Sequence, residues 1–204
     1  MVSHEKQSPV RFGPGIFIAA TVVSLLATPI LAADDQGRFA VDGVGRQPCS
    51  VLVEAVRSEN REQIIAFASW TDGFLTGANV YGLDTFDITP WQPIELLQAK
   101  LRQYCEANPD VAVINALGRL ASVLEPDRLA EADELVSVRN DGQGVFIYGA
   151  MLDRVRQALA EAGHPAPSEG FDAKFADALV TYQAANDLPQ TGLPDLATLN
   201  SLFP

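Results

Sequence analysis

Covalent chemistry has few candidate side chains in this 204-residue sequence. His164 is the only histidine after residue 33, and it sits in a Gly163-His164-Pro165 turn. A histidine zinc site or a Ser-His-Asp triad needs partners at spacings that are not found here. Acidic residues are plentiful, but no pair of carboxylates stands out as an acid and its base. A glycine-rich phosphate loop is missing. Cys49 and Cys105 have no neighbouring histidine that would make either a nucleophile. The reading is therefore a non-enzyme with no cofactor and no metal. What remains is hydrogen-bonding chemistry, concentrated in one short C-terminal stretch that holds Tyr182, Gln183, Leu188, Thr191 and Asp195. Gln183 and Thr191 can donate to a ligand or close the loop around Leu188. Asp195 can touch a ligand or cap the helix that follows it. Tyr182 suits a core position with its hydroxyl at the surface.

The elements that position these residues follow an N-terminal export signal. Lys6 and Arg11 precede an apolar run from Ile16 to Leu26, then Thr28-Pro29 and the small residues Ala32 and Ala33. That layout is a secretory signal over residues 1–33, cleaved after Ala32 or Ala33. An uncleaved anchor is the rival reading, because the apolar stretch approaches the roughly 18 residues that a spanning helix needs. After cleavage the chain is expected to be periplasmic, with no stable membrane insertion. In an exported chain an even pair of cysteines reads as a disulfide, with two buried thiols as the alternative. The formal net charge is −12, and removing Glu5, Lys6 and Arg11 leaves twelve basic and twenty-five acidic residues. With no Lys/Arg cluster, nucleic acid is excluded as a partner.

Periodicity makes the remainder all-α, arranged as two small helical bundles. The first, residues 45–126, is closed by Cys49 and Cys105. Asn60 can cap a helix carrying Ile64, Phe67, Thr71, Phe74 and Leu75, and Pro93 suits the first turn of another. Asn108-Pro109-Asp110 reads as the opening of a fourth helix that buries Val113, Leu117, Leu120 and Leu124. Residues 127–145 read as a linker with a turn at Asp141-Gly142-Gln143-Gly144, and Val145-Phe146-Ile147-Tyr148 is either a strand or a lead-in. The second bundle, residues 146–204, has three short helices, with Asp172 and Asp195 as caps and Gly192 at a positive φ.

The run Tyr182-Gln183-Ala184-Ala185-Asn186-Asp187-Leu188-Pro189-Gln190-Thr191-Gly192, then Pro194-Asp195 and Leu196-Ala197-Thr198-Leu199, resembles a peptidoglycan-binding repeat over about residues 148–204. That family usually has Thr where this chain has Phe175, and often Phe where it has Tyr182. The resemblance implies a three-helix bundle that offers the polymer a shallow groove, with Tyr182, Gln183, Leu188, Thr191 and Asp195 as its binding residues. Residues 45–124 resemble small disulfide-bonded periplasmic helical proteins of the acid-stress chaperone type. Trp70-x-x-Gly73-Phe74-x-x-Gly77-x-Asn79 and Tyr104-Cys105-x-x-Asn108-Pro109 carry that likeness. The expected partners are peptidoglycan and, through the first bundle, a periplasmic protein. A chaperone-like or inhibitor protein is the alternative, and a cell-wall hydrolase accessory or enzyme is the second.

Overall fold

Asn60, Asp172 and Asp195 set the starts of three helices by side-chain capping in the computed structural model, which describes residues 34, 36–166 and 170–204. The signal-peptide reading falls on residues 1–33 and lies outside them. Contacts divide the chain into Met1–Phe39 and Ala40–Pro204. In the first unit, Asp34 accepts the backbone N–H groups of Arg38 and Gln36 and pairs with the Arg38 guanidinium. The Arg38 hydrogen bonds hold its carboxyl below the usual carboxylate range.

The second unit begins with four helices: α1 (Cys49–Arg57), α2 (Arg61–Tyr81), α3 (Ile94–Ala107) and α4 (Val113–Leu124). Cys49 and Cys105 form the disulfide, and both lie fully buried beside Leu52, Phe67, Leu101 and Leu117. Asn60 caps α2 by accepting the Gln63 N–H. The fourth helix starts later than Asn108-Pro109-Asp110 suggests, and the reason is a demand made by α1. Pro48 at the head of α1 supplies no side-chain cap. Instead, the Cys49 and Ser50 N–H groups donate to the Val111 and Pro109 carbonyls at 2.8 and 2.9 Å. Those carbonyls must point at α1, so residues 108–112 form a turn, closed by the Val111 N–H on the Asn108 carbonyl, and satisfy the orphan donors of another helix. A smaller cluster of Leu75, Ile88, Leu97 and Leu124 closes the far end of the bundle.

The fold is not all-α. β1 (Leu135–Asn140) and β2 (Gln143–Tyr148) form an antiparallel pair, so the stretch read as a linker over 127–145 contains β1. Asp141 and Gly142 form its two-residue turn with φ of +45° and +78°, the double left-handed geometry that matches the twist of a hairpin. Helical periodicity is lost here and replaced by alternation: Val138 and Ile147 are buried, while Leu135 and Phe146 are exposed.

α5 (Gly149–Glu161), α6 (Ala173–Ala185) and α7 (Leu196–Leu202) follow. Their core of Met151, Leu152, Val155, Leu159, Phe175, Leu179, Tyr182, Leu193 and Leu199 also takes in Val138 and Ile147 from the hairpin. Trp91, from the loop before α3, packs on the same core, 6.2 Å from the Phe203 ring. Arg154 on α5 donates to the Asp127 and Arg128 carbonyls just after α4. No helix among the described residues is long and apolar enough to cross a membrane.

Candidate functional site

α6 enters through Asp172, whose carboxylate accepts the Phe175 N–H at 2.9 Å. The helix ends at Ala185, and the chain reverses through Asp187 at φ +56° and Gly192 at φ +64° before Asp195 caps α7. Glycine is required at 192. A Cβ there would lie 2.5 Å from Asn140 Nδ2, and that same amide donates to the Thr191 carbonyl at 2.9 Å. The reversing loop is thereby fastened to the end of β1.

Gln183 organises the loop from inside. It is 0% exposed, and its Nε2 lies within 3.1 Å of Thr191 Oγ1, the Leu193 carbonyl and Thr198 Oγ1. An amide has two protons for these three acceptors, so one proton is shared. Its Oε1 accepts the Gly192 N–H at 2.9 Å. The Thr191 hydroxyl donates a hydrogen bond to Asp195 Oδ2 at 2.7 Å, and Asp195 Oδ1 accepts both the N–H and the hydroxyl of Thr198. Tyr182 is 5% exposed and its hydroxyl meets Ser201 at 2.8 Å. Leu188 folds back on the core, with its N–H donating to the Gln183 carbonyl at 2.9 Å.

The five residues singled out in the sequence therefore lie on α6, on the loop after it and at the cap of α7, and their side-chain polar atoms bond within that framework, Tyr182 to Ser201 and the others around Gln183 and Asp195. Of the two roles open to Gln183 and Thr191, the geometry builds loop closure. Asp195 is a helix cap. Phe175 is fully buried against Phe171, beneath the Arg156 guanidinium. His164 stands edge-on to Tyr182 at 5.8 Å, a half-buried turn residue. Among the described residues no group of three or more His, Cys, Asp or Glu side chains is gathered to hold a metal ion.

A recess of about 590 Å³ opens between β1, the start of α5 and the segment before α6, larger than recesses of about 250 and 350 Å³ on the first bundle. Asp133, Val136, Ser137, Val138, Gly149, Ala150, Leu152, Asp153, Gly170 and Phe171 line it. Asp133 shapes one wall by accepting the N–H groups of Glu134 and Ala150, which makes it a remote cap for α5. Asp153 is held by Arg156, which also donates to the Gly170 carbonyl at 3.1 Å. Sequence reading missed these residues because they come from separate elements. The Asp141-Gly142 turn, together with the strand reading of Val145-Phe146-Ile147-Tyr148, was the available signal that a partner strand ran past Val136 to Val138.

Nearby, Tyr148 carries a phenol whose pKa is raised by burial and by the charge and hydrogen-bonding of Asp87, with a further contribution from Asp133. Its ring meets Phe86 edge-on at 5.9 Å.

The C-terminal module is thus three short helices around a loop closed by a buried glutamine, with α6 and α7 each capped by an aspartate. Residues 149–202 match the family model of the peptidoglycan binding domain. No curated protein and no solved structure matches the chain.

Proposed function

We propose that this is a non-catalytic exported protein that binds peptidoglycan through its C-terminal module. The observation that carries the reading is the family match over residues 149–202, joined to a loop framework whose hydrogen bonds are internally complete. Such a framework holds an outer surface rigid for a polymer without supplying a reactive group. The signal read in residues 1–33 supports a periplasmic location, where this polymer lies. The test is sedimentation of the chain beginning at Asp34 with purified sacculi. Co-sedimentation with no release of soluble muropeptides is the expected outcome. A chain that stays in the supernatant across pH and salt refutes the binding, and muropeptide release refutes the non-catalytic part.

A second role for the first bundle is favoured by one feature. Val80, Tyr81 and Leu83 at the end of α2 are 65%, 86% and 84% exposed, an apolar run suited to another periplasmic protein. Chaperone-like activity through this run predicts suppression of client aggregation that is lost when all three become serine.

A further inference from the structure

A hairpin of two strands leaves each strand with one unpaired edge, and the pairing shows which groups that edge presents. Asn140 opposite Gln143 closes the two-residue turn as a hydrogen-bonded pair, and such pairs alternate along an antiparallel ladder. Val138 with Val145 and Val136 with Ile147 are then the bonded pairs. The Gly149 N–H donating to the Glu134 carbonyl continues the same alternation. Leu135, Ser137 and Arg139 fall between, so their N–H and C=O groups point away from β2. Among the described residues, none of the backbone hydrogen bonds made outside helices and strands involves these three residues.

The recess of about 590 Å³ runs along this edge: Val136, Ser137 and Val138 line it and no β2 residue does. Its far wall is the start of α5, and its floor is apolar through Leu152, Val138 and Phe171. Among the described lining residues Asp133 and Asp153 carry charge; Asp133 accepts the Glu134 and Ala150 N–H groups and Asp153 pairs with Arg156 through one oxygen, so each carboxylate keeps lone pairs for a further donor. An extended backbone is the ligand that complements a row of unpaired strand amides. An amine is the group that complements two carboxylates.

Peptidoglycan contains both in one place, its peptide stem, whose diamino residue carries a free amine wherever it is not cross-linked. Resting on the reading of the previous subsection, we infer that the groove between β1 and α5 binds the peptide stem of peptidoglycan rather than its glycan strand. The stem lies along Ser137 and directs its amine toward Asp133 and Asp153. The binding unit is then the hairpin together with the three helices, wider than the 149–202 family match.

Titration of the chain beginning at Asp34 with a soluble tetrapeptide stem tests this directly. Saturable binding is expected, and acetylating the stem's side-chain amine should weaken it. Ser137→Pro removes an outward N–H without touching a ladder bond. It should weaken binding about tenfold, the scale of one or two hydrogen bonds, whereas Ser137→Ala keeps the N–H and the affinity. Should Ser137→Pro fail to fold, Val136→Trp fills the groove from a half-exposed position and must abolish stem binding. Sacculi whose stems have been removed by an amidase separate the two claims. If intact and stripped sacculi sediment the chain equally, or the stem peptide does not bind, the stem inference is overturned while peptidoglycan binding stands. If intact sacculi fail to bind but the peptide does, the polymer-binding reading falls and the groove assignment holds.

Discussion

Replacing Gln183 with leucine tests whether the C-terminal loop is held from within. Leucine fills a similar volume but offers no hydrogen bond. Thr191 and Thr198 keep Asp195 as a partner, so the groups stranded are the Gly192 N–H and the Leu193 carbonyl. Each buried unpaired group costs about 2 kcal/mol, and about 4 kcal/mol for the two. The additional apolar burial of leucine offsets roughly 1 kcal/mol. A net loss of about 3 kcal/mol lowers Tm by about 6–12 °C for a unit of this size. Thermal unfolding followed by circular dichroism reads this shift, and amide exchange at Gly192 should accelerate with it. Gln183→Glu sharpens the test. Its buried carboxyl has to stay protonated to keep donating, so that variant should gain stability as the pH falls. A fall in Tm under about 3 °C for Gln183→Leu, with Gly192 still protected, would refute the framework role.

Gly192→Ala places a Cβ 2.5 Å from Asn140 Nδ2 at φ +64° and should cost about 2 kcal/mol from backbone strain alone. Chemical shifts at Asn140 should report release of the hairpin tip. The double variant Cys49→Ala/Cys105→Ala opens a cross-link with a sequence separation of 56 and should lose about 4 kcal/mol in urea unfolding. Tyr148 has its pKa raised above the ordinary value of 10.0, so folding favours the neutral phenol. That contribution is complete below 10.0 and is lost as the pH rises through the higher folded value. Tyr148→Phe should flatten the alkaline fall in the urea midpoint, leaving neutral pH almost unaffected.

What could be read from the residues was whatever local rules decide. Asn60, Asp172 and Asp195 are caps because a short side-chain oxygen satisfies the first-turn donors, and their positions need no tertiary information. Gly192 was legible for a related reason, its conformation being local. Asn108-Pro109-Asp110 obeys the same local rules and misleads, since its carbonyl neighbours are requisitioned by α1 from a distant part of the chain. β1 was hidden because the run from Leu135 to Asn140 buries Val138 and leaves Leu135 exposed, too little apolar alternation to exclude a polar connector. The framework role of Gln183 depends on acceptors up to fifteen residues away in the chain, which spacing alone cannot pair. The groove draws on β1, α5 and the loop before α6, and so becomes visible only once those elements are folded together.

The seam where Trp91 meets Phe203 and Arg154 reaches the carbonyls after α4 has a mechanical meaning. A slack tether between two groups of helices absorbs any displacement of one relative to the other. This chain has aromatic and guanidinium contacts where the slack would be, so displacement of the C-terminal helices is passed to the disulfide-closed helices.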